Sequence, residues 1–128
     1  MGDYKKVANE VGGETTVFPE KVSPEMKKLL AWYNELSEVT IQDIIKFHHG
    51  FEKIHPFQDG NGRVGRIIMF KECLKNDIIP FIILDVDKMF YYRGLKEYDR
   101  EKGYLVDTCL HAQDKYQELL DKYTKGLV

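Results

Sequence analysis

One stretch limits what this chain can fold into more than any other: His55-Pro56-Phe57-Gln58-Asp59-Gly60-Asn61-Gly62-Arg63-Val64-Gly65-Arg66. Pro56 biases His55 away from the α region, so a helix arriving from the N-terminal side must end there and project the histidine from the following loop. Another helix is expected to begin near Asn61. Glycines let backbone N–H groups approach a ligand and a helix start adds its positive end, a combination that suits a phosphate. Arg63 and Arg66 are cations in a first turn, against the macrodipole, and face the same way. They make most sense with an anion between them and the helix end. A nucleoside triphosphate is the obvious candidate.

The rest of the chain reads as support. Residues 1–22 carry no helical pattern, and Gly12-Gly13-Glu14-Thr15-Thr16-Val17-Phe18-Pro19 reads as a turn and a short β-prone segment ended by Pro19, a hairpin or flap. Ser23-Pro24-Glu25 supplies an N-cap, a proline at the first helical position and an early acid, and predicts a first helix from about Ser23 to Asn34. Thr40 with Asp43 resembles a capping box, and Ile41, Ile44, Ile45, His48, Phe51 and Ile54 form the stripe of a second helix that delivers His55 at its end. Val64, Ile67, Ile68, Met69, Phe70, Cys73 and Leu74 are apolar on most sides, predicting a central helix buried on several faces and ending near Asn76. Pro80 argues against a central strand over Ile78–Leu84, which is expected to be a packed connector. Asp85 or Asp87 is expected to cap a helix through Tyr98, and a last helix runs from Tyr104 to about Tyr123. The fold class is all-α with a short β-hairpin, in one domain of 128 residues.

Composition excludes several partners. The 43% apolar content is enough for a core. With 19 basic against 21 acidic residues, net charge −2, nucleic acid is not the default partner. No apolar run approaches the roughly 20 residues of a membrane span, and the polar start lacks the apolar core of a signal peptide, so a cytoplasmic location is expected. Cys73 and Cys109 lack CxxC spacing and are expected to be reduced core thiols.

Gly60-Asn61-Gly62-Arg63-Val64-Gly65 satisfies GxGxxG, but the dinucleotide fingerprint requires a preceding strand, and here a helix and a His-Pro-Phe loop precede it. No Lys-Ser or Lys-Thr follows the glycines, and the remaining ligands of a calcium loop are missing. What remains is a local set of roles. Asp59 is a hard oxygen ligand that, with phosphate oxygens and waters, could hold Mg²⁺. N–H groups around Gly60, Asn61 and Gly62 would form an anion hole, with the Asn61 amide a further donor. His55 is the candidate base, and two nearby arginines and a helix N-terminus favour its neutral form. His48 and His49 read as packing residues rather than metal ligands. Phe57 reads as a loop anchor, and Tyr91, Tyr92 and Tyr98 as core or interface.

HPFQDGNGRVGR also reproduces the Fic (Fido) motif, HxFx(D/E)GNGRxxR, and the chain resembles the C-terminal portion of a Fic domain from Tyr4-Lys5-Lys6 to Tyr91-Tyr92-Arg93-Gly94-Leu95, without the helices that usually precede the flap. The resemblance implies a Fic-type helical fold and a protein adenylyltransferase: AMP passes from ATP to a Tyr, Thr or Ser hydroxyl of a target protein and pyrophosphate leaves. It implies that His55 deprotonates the hydroxyl, Asp59 holds Mg²⁺, Gly60 to Gly62 hold the α- and β-phosphates, and Arg63 and Arg66 the outer phosphates. Tyr92 and Asp99 would border the adenine; relatives carry asparagine at the latter place, and an ionised carboxylate there can accept a hydrogen bond but not donate one. Thr15, Thr16 and Val17 would form a flap that aligns the target by strand pairing. The inhibitory signature (S/T)xxxE(G/N) is not found: Thr16 and Glu20 have its spacing, but Lys21 follows and Pro19 intervenes. The inhibitory helix would then lie upstream of a truncated chain, come from a separate partner, or not exist. A phosphotransfer branch replaces the second loop glycine by lysine, which Gly62 argues against. Removal of AMP from a modified protein, or nucleotide or partner binding without catalysis, would also be served by these residues.

Overall fold

Caps and prolines set the order of elements in the computed structural model, which describes residues 3–11 and 13–126. A two-stranded antiparallel hairpin, β1 (Glu10–Val11) and β2 (Glu14–Thr15), pairs Glu10 with Thr15 and Val11 with Glu14. Gly12, part of the expected turn, lies outside the described residues, as does Met1. Five helices follow among the described residues: α1 (Pro19–Asn34), α2 (Ile41–Ile54), α3 (Asn61–Lys75), α4 (Lys88–Glu97) and α5 (Gly103–Thr124), with a 3₁₀ turn at Asp85–Asp87. The all-α expectation with a short hairpin holds.

One boundary and one pattern of burial differ from expectation. Pro19 does not end a strand; it opens α1, one turn before Ser23, and Pro24 is carried inside the helix. A proline at the first helical position needs no N–H partner, and the Lys21 N–H closes the turn on the Phe18 carbonyl at 2.9 Å. The earlier start puts Val22 and Met26, four residues apart, on one buried face, which offsets the bond lost at Pro24. In α3, Asn61, Gly65, Met69, Glu72 and Cys73 form one buried stripe, whereas Ile67 and Leu74 are exposed, so this helix is not buried on several faces. The capping box at α2 is present in both directions, Asp43 N–H to Thr40 Oγ1 at 3.3 Å and Thr40 N–H to Asp43 Oδ2 at 3.0 Å.

The chain divides into two compact units, one ending at Met69 and one beginning at Phe70. In the first, Val22 and Met26 of α1 pack with Phe47, Phe51 and Ile54 of α2, and Val17, Phe57, Val64 and Ile68 close over them. Each such side chain taken from water contributes about 1.5–3 kcal/mol. In the second, α4 and α5 pack on each other, Tyr91, Leu105 and Cys109 are fully buried, and Cys73 and Cys109 are free thiols as expected. Residues 78–84 form the expected connector, with Pro80, Phe81 and Ile83 buried. Asp87 stands at the N-cap of α4, but its carboxylate does not cap; it turns inward, 3.7 Å from Lys115 Nζ of α5.

Candidate active site

α2 ends on His55 in a left-handed cap, φ 52° and ψ 61°. Because Pro56 disfavours the right-handed conformation, the chain leaves the helix axis and carries the imidazole with it. His55 is half-buried, and its Nδ1 is enclosed without a hydrogen-bond partner. Burial and then the positive charge of Lys5 lower the imidazole pKa, while the Glu52 carbonyl, short of hydrogen-bond geometry, works in the opposite direction. The neutral ring that can accept a proton is therefore the favoured form.

The loop after His55 is held by side chains. Asn61 is buried, 1% exposed, and its amide grips Phe57 both ways: Oδ1 accepts from the Phe57 N–H and Nδ2 donates to the Phe57 carbonyl, each at 2.8 Å. That side chain is thus engaged in shaping the loop. Gln58 Oε1 accepts from the N–H groups of Lys6 and Val7 at 3.2 Å, and its Nε2 donates to the Val7 carbonyl at 3.1 Å. Asn9 Nδ2 donates to the Phe57 carbonyl at 3.1 Å. The Lys5 N–H donates to the Pro56 carbonyl at 2.7 Å. Sequence reasoning missed Lys5, Asn9 and Gln58, because polar residues in an aperiodic segment reveal their partners only when the loop folds against them.

Gly60 has φ +75°, a conformation glycine adopts without strain, and its carbonyl accepts the first helical bond of α3 from Val64 N–H at 3.0 Å. The N–H groups of residues 61–63 precede that bond and have no partner within the helix, so the end of α3 presents donors and the positive pole of its dipole. Arg63 is exposed. Arg66 lies back along the helix toward that end: a β-carbon at Gly62 would sit 3.0 Å from its Nη1. Beneath it α3 crosses α2 at Gly65, where a β-carbon would lie 2.6 Å from Glu52 Oε1, 3.1 Å from Phe51 Cδ1 and 3.2 Å from His48 Cε1.

This crossing buries ionisable groups that sequence reasoning did not place in the site. Glu52 Oε1 has no hydrogen-bond partner, and burial raises the carboxyl to about 7 against the downward pull of Arg66. His48 Nδ1 meets the Gly65 carbonyl at 3.1 Å, and burial lowers the imidazole to about 4, with Arg66 and His49 adding to the fall and the Gly65 bond opposing it. His48 and His49 are both buried, and no group of three or more His, Cys, Asp or Glu among the described residues is arranged to hold a metal. Asp59 is an exposed carboxylate beside the loop, which fits an ion held mainly by phosphate oxygens and water.

The three flap residues divide. Thr15 is exposed on β2, Thr16 turns its hydroxyl inward to Lys5 and Asn9, and Val17 packs on the core. Tyr92 belongs to the second unit, on α4, and is half-exposed with its ring centroid 5.4 Å from that of Tyr91.

Residues 2–73 match the profile of the family described as Fic/DOC. The chain belongs to the Fic/DOC family. Among the relatives of this Fic chain, protein adenylyltransferase fic-1 of Caenorhabditis elegans is 33% identical over 88 residues, 66% of this chain and 17% of the relative. A protein of Aquifex aeolicus named "Probable protein adenylyltransferase" is 36% identical over 90 residues, 69% of this chain and 27% of the relative. The Fic chain therefore spans about a sixth to a quarter of these relatives' length. Its fold is that of a Fic domain containing signaling protein of Bacteroides thetaiotaomicron, with TM-score 0.81 and 23% identity over 98% of this chain and 56% of the other. No helix among the described residues is long and apolar enough to cross a membrane.

Proposed function

We propose that this chain is the catalytic core of a protein adenylyltransferase, which moves AMP from ATP to a Tyr, Thr or Ser hydroxyl of a target protein. One observation carries the reading. A neutral-leaning His55, turned out of α2, stands one short, tightly held loop away from the open first turn of α3. The names of the relatives support the same chemistry.

In this reading the triphosphate lies on the N–H groups around Gly60, Asn61 and Gly62, while Arg63 and Arg66 hold the outer phosphates. His55 takes the proton of the target hydroxyl, whose oxygen forms a bond to the α-phosphorus as the bond to the pyrophosphate oxygen breaks. Mg²⁺, when bound through Asp59, neutralises phosphate charge. The exposed edge at Thr15 pairs with an extended segment of the target, and a separate partner of Arg66 supplies inhibition.

Incubation with ATP labelled at the α-phosphate, Mg²⁺ and a lysate tests the reading. A protein should acquire the label, and His55→Ala should lower the rate about 100-fold or more. Equal labelling by the variant, or transfer of γ-label instead, would overturn it.

A further inference from the structure

We propose that Lys5 is a positioning residue that clamps His55 from both sides and ties the hairpin to it, so that the flap and the candidate base are held as one piece. The inference rests on the reading of His55 as the base.

The geometry is unusual for a lysine. Lys5 is 4% exposed, and its ammonium donates to three acceptors, matching its three N–H bonds: Asn9 Oδ1 at 2.8 Å, Thr16 Oγ1 at 2.8 Å and the Ile54 carbonyl at 3.2 Å. Its backbone N–H donates to the Pro56 carbonyl at 2.7 Å. Ile54 and Pro56 are the residues immediately before and after His55. One residue therefore grips the carbonyls of both neighbours of a histidine in the left-handed region, a conformation that surrounding structure must maintain. The other two acceptors belong to the hairpin: Asn9 precedes β1, and Thr16, directly after β2, also donates its hydroxyl to the Asn9 carbonyl at 3.1 Å.

A purely structural filler at this place would be apolar, since a buried ammonium loses hydration that only a full set of acceptors restores. What the ammonium adds is a rigid link with a charge beside the ring. A target segment that pairs with the hairpin loads Thr16 and Asn9, and through Lys5 the load reaches the turn that aims His55.

The test needs neither nucleotide nor target. The ring titration of His55 is followed by NMR, with hydrogen exchange at the amides of Thr16 and His55, in the unaltered chain, Lys5→Met, Lys5→Arg and Thr16→Val. The other titratable or charged groups on the elements around the ring, Lys6, His48, His49, Glu52, Lys53, Asp59, Arg63 and Arg66, are the same in all four. Lys5→Met is expected to raise the His55 midpoint, because a cation that disfavours imidazolium is gone, and to speed exchange at both amides about tenfold. Lys5→Arg keeps the charge and is expected to keep the midpoint. Thr16→Val, which removes one acceptor on the hairpin side, should speed exchange at Thr16 while leaving the His55 midpoint in place; it keeps the test decisive if Lys5→Met does not fold. An unchanged midpoint and unchanged exchange in a folded Lys5→Met, or unchanged Thr16 exchange in Thr16→Val, would overturn the proposal. The expected shifts in a protein that transfers no AMP would support the Lys5 clamp and overturn the adenylylation reading, so the two fail separately.

Discussion

Gly94 and Gly65 each let two helices approach closely, and what lies against each glycine differs. At Gly94, in the second unit, a β-carbon would meet the backbone of α5, 2.7 Å from Leu105 Cα and 2.9 Å from its nitrogen. The surroundings are apolar, with Tyr91 and Leu105 fully buried, and Arg93 stays outside by stacking on Tyr104 at 4.3 Å. At Gly65, in the first unit, the same closeness seals in the Glu52 carboxyl and the His48 ring. A crossing shaped by stability alone would resemble Gly94, because enclosing a carboxyl oxygen without a partner costs free energy. The polar crossing lies under Arg66, one turn from the open end of α3, so the molecule accepts an unfavourable burial where the candidate site is.

The largest effect should come at the apolar crossing. Gly94→Ala drives a methyl into main chain that cannot turn aside, and overpacking of this kind should cost about 3 kcal/mol in urea unfolding. A loss below about 1 kcal/mol would mean that α4 and α5 are not rigidly seated.

Glu52→Gln probes the polar crossing through pH. A carboxyl raised in the folded state to about 7 from 4.5 stays protonated there while the unfolded chain ionises, so its contribution to stability is full below pH 4.5, falls as pH rises to about 7 and is flat above. Relative to Glu52→Gln, the unaltered chain should lose about 3 kcal/mol across that window. His48 acts in the opposite sense. Lowered from 6.5 to about 4, it adds stability as pH rises through that range, so the two nearly cancel in the unaltered chain between pH 4.5 and 6.5. Removing Glu52 should uncover the rise due to His48, and identical pH profiles for the two proteins would break the comparison.

Gly65→Ala should cost about 2 kcal/mol, less than Gly94→Ala, because the nearest atom is the end of a carboxylate that can swing, although Phe51 and His48 also resist. The reverse order would mean that the polar crossing is the tighter one. Thr40→Ala should cost about 1 kcal/mol by removing the capping box of α2 without touching either crossing. A much larger loss would tie the cap to the site below it.

Most of this architecture is legible in the sequence where the physics is local. The Thr40 capping box, the end of α2 at His55-Pro56 and the start of α3 at Asn61 follow from caps, prolines and periodicity. Pro19 and Pro24 show the limit: either could open a helix, and only the burial of Val22 decides between them. The candidate site is legible in kind, as a base, glycines and arginines around a helix start. Its supports are not. Lys5, Asn9 and Gln58 act through bonds to residues about 50 positions away or to one another, Asn61 spends its side chain on Phe57, and Glu52 reads in the sequence as an ordinary polar position on α2.

The central claim is that the first turn of α3 receives the phosphates of a nucleotide. It is tested most directly by titrating the ¹⁵N-labelled protein with ATP and Mg²⁺ while following the backbone amides of Asn61, Gly62 and Arg63. These three signals are predicted to move together and saturably, and Gly60→Val, which strains the left-handed turn beneath them, is predicted to weaken the response. Saturable binding that leaves residues 61–63 unmoved while signals shift elsewhere would contradict the claim.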